Sequence, residues 1–377
     1  MRFASLRGAL AVCAMLAMGG CATQPTAPAP APPSAESPAP PPPVPARPGL
    51  TIAAVGDMML GTDFPENILP DDDGVSFLEA VTPILSDADV AFGNLEGVLM
   101  DGGEPVKQCK NPKICFLFRT PTRYAEYFRL AGFDALSLAN NHARDFGEEG
   151  RSSSMAALDA VGIHHSGREG TTASWIANGR RVALAAFAPN VGANQLNEPE
   201  VARALVEGLA ATHDIVIVSF HGGAEGNGAE TLPFAREIFA GEDRGNVVEF
   251  ARAMVDAGAD IVLGHGPHVV RPMELYRDRL IAYSLGNFAT YYGISVEGIR
   301  GIAPILEVQL DDDGRFVSGE IVSTIQVRPA GPSLDSDRGA LELIRTLTQA
   351  AFPDGALAIG EDGRLSRAAG TASQDRR

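Results

Sequence analysis

The sequence predicts an α/β fold of two packed, mixed sheets flanked by helices, and three observations carry that prediction. Short, unbroken apolar runs, TIAAVG, VAFG, FDALSLA, IVIVSF and IVLG, have the length and hydrophobicity of strands buried on both faces. Amphipathic segments lie between them: SFLEAVTPILSD, TRYAEYFRLAG, SSMAALDAVG, PEVARALVEGLAA and NVVEFARAMVDAG, the third and fifth closing on glycine as helices often do. Other segments alternate instead. TASWIANGRRVALAAF carries Asn178-Gly179 between two strand patterns and predicts a tight hairpin, and MELYRDRLIAYSLGNF and ILEVQLDDDGRFVSGEIVSTIQV predict two more.

At the N-terminus, Arg2 and Arg7 precede the apolar stretch ALAVCAML, which is too short to span a bilayer and has the length of a signal-peptide core. Met18-Gly19-Gly20-Cys21 follows and resembles a bacterial lipobox, so residues 1–20 read as a lipoprotein signal peptide and Cys21 as the lipidated residue; an ordinary secretory signal is the alternative. Acyl chains on Cys21 would hold the protein at a membrane. Ala22 stands where an inner-membrane retention signal places Asp, which by analogy favours a periplasmic lipoprotein of the outer membrane. Residues 21–49 are almost entirely Pro, Ala, Ser and Thr, with twelve prolines from Ala22 to Gly49, and predict an extended disordered tether reaching about 90 Å at about 3.1 Å per residue.

Residues 50–332 read as one domain. Hydrophobic content of 45% supplies its core, and no second linker or internal repeat interrupts it. GALELIRTLTQAA predicts a terminal helix within 333–377, followed by a disordered tail. The formal charge of −17 argues against a nucleic-acid partner. It also repels anionic substrates, so a bound cation or arginines such as Arg144 and Arg271 would have to reverse the local potential. Two of the four cysteines lie in the leader; Cys109 and Cys115, in CKNPKIC, predict a disulfide closing a short loop in an oxidising compartment.

Five apolar runs end in groups able to bind a metal or move a proton: Asp57; Asn94 and Glu96; Asn140, Asn141, His142 and Asp145; His221; His265 and His268. Four of the seven histidines sit at these exits, which predicts convergence on one edge of one sheet, beyond the carboxyl ends of its strands. Polar groups in such surroundings are unfavourable unless satisfied by one another or by an ion. Asp145, three residues after His142, is placed to orient its ring. Pro267 rigidifies the His265–His268 spacing; both rings could ligate, or one could ligate while the other acts as acid or substrate clamp. His164, His165 and His213 read as surface or capping groups.

GDMMLG, GNLEG, ANNHARDFG, SFHGG, GHGPHV and YSLGNF occur in the order of the motifs of the CapA-type bacterial capsule synthesis proteins, the poly-γ-glutamate synthesis group, and the resemblance runs from about Leu50 to Pro329. That group resembles the calcineurin-like metallophosphoesterases, so the resemblance implies a four-layer αββα sandwich with metal ligands on strand-exit loops. It implies a role in the site for Asp57, Asn94, Asn141, His142, His221, His265 and His268; taken with the reading of the strand exits, metal ligation is expected from Asp57, Asn94, Glu96, Asn141, His221 and His265, proton chemistry at His142, His268 and Asp145, and substrate contacts from Asn140, Arg144, Arg271 and Asn287. Met59 stands where the phosphoesterases carry a metal-binding histidine and is expected to pack, because a thioether suits hard cations poorly. GNLEG lacks their metal-bridging aspartate unless Glu96 substitutes, and the last pair is spaced H-x-x-H, so one divalent metal ion is expected rather than two. Two functions follow: a metal-dependent hydrolase of the envelope cutting a phosphoester or amide, or an accessory protein that binds an anionic envelope polymer during its synthesis or export.

Overall fold

The computed structural model describes residues 49–107, 116–226 and 228–369. The leader, Cys21, the Pro-rich tether, Cys109, Cys115 and the last residues from 370 lie outside the described residues.

Two mixed sheets form. The first runs in the spatial order Leu357–Ile359, Arg364–Arg367, Phe316–Gln326, Ile302–Leu310, Leu50–Met59, Val90–Leu95, Ala135–Ser137, His164–Ser166, with Asn287–Thr290 also paired to Leu50–Met59 and Pro332–Leu334 to Phe316–Gln326. The second runs Met273–Tyr276, Arg279–Ala282, Ile261–His265, Ile215–His221, Arg180–Ala188, Ala173–Ala177, with Asn194–Gln195 beside Arg180–Ala188.

Side-chain alternation sorts the apolar runs into layers. Ile52 and Ala54 meet Ile215, Ile217, Ile261 and Leu263 between the sheets. Ala53 and Val55 point the other way, toward Leu85, Phe128 and Leu158 of one helical layer. Val216 and Val218 face Val206, Phe250 and Met254 of the other. Each central strand is therefore buried on both faces, which is why its sequence is a continuous apolar run, and the architecture is the expected four-layer αββα sandwich.

The three hairpins form as their patterns predict. Asn178 and Gly179 take φ of 45° and 77°, the pair of positive values a two-residue primed turn requires. Helix Gly147–Val161 ends on Gly162 in the left-handed region, and helix Val247–Asp256 starts at Asn246, whose side chain accepts from the Glu249 N–H. The helix expected over residues 76–87 is reduced to Thr82–Leu85. Turns that bond three residues back precede it, and Pro83 cannot continue an α-helical ladder through that point.

The boundary expected at 332 does not separate a tail from the domain. Pro332–Leu334 pairs with Phe316–Gln326, and helix Gly339–Ala351 buries Leu341 and Ile344 in the core between the sheets. The strands Leu357–Ile359 and Arg364–Arg367 then extend the sheet, with Leu365 1% exposed. Ile344→Ala is expected to lower stability by about 2–5 kcal/mol in urea denaturation, the usual loss for truncating a fully buried aliphatic side chain. A change within about 0.5 kcal/mol would show that this helix only rests on the domain.

Candidate metal centre

Strand ends bring the polar exits together because their registers align. Asp57 lies opposite Asn94 on one side and Asn287 on the other, Asn94 lies opposite Ser137, and His221 lies opposite His265. The convergence is not on one sheet, as expected from the run pattern. Asp57, Asn94, Glu96 and the Asn140–Asp145 turn come from the first sheet, whereas His221, His265 and His268 come from the second. The two edges meet at a seam.

Small residues permit the approach. A Cβ on Gly56 would lie 2.0 Å from the Gly286 carbonyl oxygen, and the Asp57 N–H donates to that same oxygen at 2.8 Å. A Cβ on Gly266 would lie 3.0 Å from the backbone of Gly222, beside His221. Two residues on, His268 sits at φ +57°, a left-handed conformation that a side chain rarely adopts without being held. Asn287 holds it: Oδ1 lies 2.8 Å from His268 Nδ1, while Nδ2 donates to the carbonyls of His268, Ser295 and Arg300.

Two buried carboxylates face three imidazoles across the seam. Glu96 Oε1 is 2.7 Å from His221 Nε2, His265 Nδ1 is 3.2 Å from Asp57 Oδ1, and His268 Nδ1 is 3.1 Å from Asp57 Oδ2. Asn94 Nδ2 donates to Asp57 Oδ1 at 2.9 Å; Asn140 donates to Asn94 Oδ1 and to the Leu95 carbonyl, and accepts from the His142 N–H. The amides are thus joists that fix the carboxylate edge. Burial alone would push the Asp57 carboxyl up, but His265 and His268 hold it far below the usual carboxylate range. Burial likewise pushes Glu96 up, and the charge of Asp57 adds to it, but His268 and His221 together hold it below its ordinary value. Burial lowers His221. It opposes the charged form of His268 too, yet the Glu96 and Asp57 carboxylates prevail and push its pKa up to about 10.

A cation fits here on the donor atoms themselves. Glu96 Oε2, His221 Nδ1 and His265 Nε2 are buried without a hydrogen-bond partner, and Asp57 Oδ2 and His265 Nδ1 have only the ion pairs just given. Ligand atoms of Asp57, Glu96 and His268 lie within 4.8 Å of one another, a mixed oxygen and nitrogen set suited to a divalent metal. Met59 packs with Phe118 and Ile294 instead of joining the cluster.

Beside the seam opens a groove of about 510 Å³ whose walls include His142, His268, Phe118 and Arg244. His142 Nδ1 is 2.7 Å from Asp145 Oδ2, and Asp145 also takes the Phe118 N–H and a 3.0 Å ion pair from Lys107. Burial pushes the Asp145 carboxyl up, but His142 and Lys107 hold it below its usual value. Asn141 borders the groove with a buried, unpaired Oδ1.

Three of the expected substrate contacts have other work. Arg271 is 1% exposed and locked on Glu237, Nη1 to Oε1 at 2.9 Å and Nη2 to Oε2 at 2.7 Å, with Nε donating to the Ala229 carbonyl. Its guanidinium is fully used in fixing a loop. Asn140 and Asn287 are buried positioning groups, as their bonds above show. Arg144, the fourth, is partly exposed and pairs with Glu148. His164 stacks on Trp175, His165 pairs with Asp159 and His213 bonds Ser174, all outside the cluster. Arg244 and Lys107 escaped the sequence reading. Arg244 reaches the groove from the small hairpin Glu237–Phe239/Glu242–Gly245, 1% exposed and 2.9 Å from Glu225, and no local motif announces it.

The chain is similar to several known proteins. The chain is 28% identical over 329 residues to the capsule biosynthesis protein CapA of Bacillus anthracis, covering 80% of this chain and 75% of that one. It is 30% identical over 259 residues to the PGA biosynthesis protein CapA of Bacillus subtilis, covering 63% of each. A solved calcineurin-like phosphoesterase of Bacillus subtilis superposes with a TM-score of 0.39 at 14% identity, covering 81% of this chain and 97% of that one. The profile described as "Bacterial capsule synthesis protein PGA_cap" matches residues 51–292, well over half of the sequence and every strand exit of the seam, and the chain belongs to that family.

Proposed function

We propose that this protein is tethered in the cell envelope and acts in the synthesis of a capsule-type or poly-γ-glutamate-type acidic polymer, through a hydrolase-like site that holds a divalent cation. One observation carries the reading: the buried carboxylates of Asp57 and Glu96 converge with His268, their ligand atoms within 4.8 Å of one another, beside a groove whose walls include His142, the partner of Asp145. Asp57, Glu96 and His268 would hold the ion, with His221 and His265 completing its surroundings. Bound there, a divalent cation would polarise a phosphoryl or acyl oxygen and acidify a bound water.

The chain's own groups do the rest. Asp145 engages Nδ1 of His142, so Nε2 is the nitrogen left to give or take a proton in the groove. Glu96 fixes the His221 ring through Nε2. Lys107 and Arg244 bring positive charge to the groove walls of an acidic chain, which favours an anionic substrate there. The lipobox-like run and the Pro-rich tether support an envelope location.

Metal analysis of the purified protein, with hydrolysis of model phosphoesters and γ-glutamyl peptides, tests the site. His221→Ala is expected to lower metal affinity by about 10–100-fold and turnover with it. A wild type that carries no metal and shows no His221-dependent turnover would sink the hydrolase reading. Protons and metal compete for His268, so apparent affinity is expected to fall up to about tenfold per pH unit below about 10. Flat affinity between pH 6 and pH 8 would remove His268 from the ligand set. In metal-free protein the raised pKa has the opposite consequence: its stabilisation is complete below the ordinary value of 6.5 and disappears as pH rises toward about 10, so the thermal midpoint should drop across that window. For the anchor, labelled palmitate is expected in the wild type and absent from Cys21→Ser; label retained in the variant would place the lipid elsewhere.

A further inference from the structure

Buried polar groups lack partners in a second place. Beside the His142–Asp145 pair lies a cavity of about 280 Å³ whose walls include Lys107, Asn141, Arg144, Arg151 and Asn190. Arg151, in the first turns of helix Gly147–Val161, is 3% exposed; its Nη1 donates to the Gly192 carbonyl, and its Nε has no hydrogen-bond partner. Arg144 Nη1 donates to the Val191 carbonyl at 3.2 Å. A Cβ on Gly192 would stand 3.2 Å from Arg151 Nη1 and 3.6 Å from Arg144 Nη1, so two guanidinium groups are held against one stretch of backbone.

Carbonyls accept their N–H groups but bring no matching charge. The carboxylate of Glu148 is shared three ways, at 2.8 Å from Arg144, 2.7 Å from Arg168 and 3.6 Å from Arg151. On the other wall Lys107 pairs with Asp145. Four cations therefore meet two carboxylates in a chain of net charge −17. Burial pushes the Arg151 pKa down, and the like charges of Arg144 and Arg168 add to that effect against Glu148. An arriving oxyanion would relieve both, and the fork of a guanidinium matches its paired oxygens. Asn141 and Asn190 each carry a buried oxygen without a partner; turned over, either amide offers N–H donors to an anion.

Lys107 and Asn141 also line the groove that contains His142 and His268, so cavity and groove adjoin. That continuity suits an anionic group carried on a longer chain better than a free ion. We propose that the Arg144–Arg151 cavity is a carboxylate-binding subsite, which grips one side chain of an acidic polymer strand while a neighbouring unit lies over the His142–His268 groove. The choice of polymer rests on the function proposed above; the excess positive charge of the cavity does not.

Calorimetric binding of a γ-linked glutamate oligomer to the full chain tests it, with a γ-linked isoglutamine oligomer of equal length, whose pendant α-carboxylates are replaced by α-carboxamides, and inorganic phosphate as separate probes. The acidic oligomer is expected to bind and the neutral one not. Arg144→Gln, at a partly exposed position, should weaken binding about tenfold, and Arg151→Met should weaken it further. If Arg151→Met fails to fold, Arg144→Gln alone decides. Equal affinity in wild type and Arg144→Gln overturns the proposal, as does equal binding of the neutral oligomer, or phosphate binding as tightly as the oligomer. Metal content measured on the same samples separates the two readings. Binding lost in Arg144→Gln with metal retained supports the subsite. A metal-free wild type that still binds the oligomer through Arg144 overturns the cation reading and leaves the subsite standing.

Discussion

Two carboxylates buried at the seam between two sheets set the terms for everything around them. Asp57 and Glu96 are 0% and 1% exposed, and taking such groups out of water costs several kcal/mol each unless opposite charge meets them at close range. The first sheet offers them amides, which orient but do not neutralise. Neutralisation comes from the second sheet, through His221, His265 and His268. Pairing across the seam therefore couples the assembly of the sandwich to the chemistry at its edge. The imidazolium of His268 supplies counter-charge to the same oxygens that form the candidate metal site.

Close approach of the two edges depends on backbone more than on side chains. Gly56 lets the Asp57 strand pass the Gly286 carbonyl, and a Cβ on Gly264 would meet the Tyr283 carbonyl oxygen at 2.4 Å. Larger residues at either point would part the strands that carry Asp57 and His265. His268 occupies a strained conformation on the loop that follows, and Asn287 secures it with two hydrogen-bonding contacts while two more tie Asn287 to the carbonyls of Ser295 and Arg300. Asn287 is thus a buried positioning group for His268. The same division runs through the site, where Asn94, Asn140 and Asp145 are buried and position other groups, whereas His142 and His268 border the groove.

Charge is distributed against the average of the chain. An acidic surface repels an acidic polymer at long range, and screening confines that repulsion to about 10 Å or less at physiological salt. The groove and its adjoining cavity gather Lys107, Arg144, Arg151 and Arg244 together with the carboxylates that pair with them, Asp145, Glu148, Glu225 and Glu242. Recognition then depends on reaching the site, which favours a ligand able to enter it over one that only approaches the surface.

How much of this was legible in the sequence follows from what each residue's neighbours in the chain can reveal. Strands buried on both faces must be unbroken apolar runs, so Asp57, Asn94, Glu96, His142, His221 and His265 stood out as polar groups at their ends, and the order of the motifs identified the family. The sheet to which each run belonged was not legible, because the same pattern serves either sheet and only long-range pairing separates them. Arg271 and Arg244 show the same limit: both are buried arginines paired with carboxylates, but the first is locked on Glu237 away from the groove, whereas the second borders the groove beside Glu225. The C-terminal helix was readable from its periodicity, yet its role in closing the core depended on Phe316 and Leu365 arriving from elsewhere. The sequence by itself determined the strands, the four-layer class and the reactive residue types. Tertiary structure decided which carboxylate meets which imidazole and which arginine borders the groove, because those outcomes depend on distances between residues far apart in the chain.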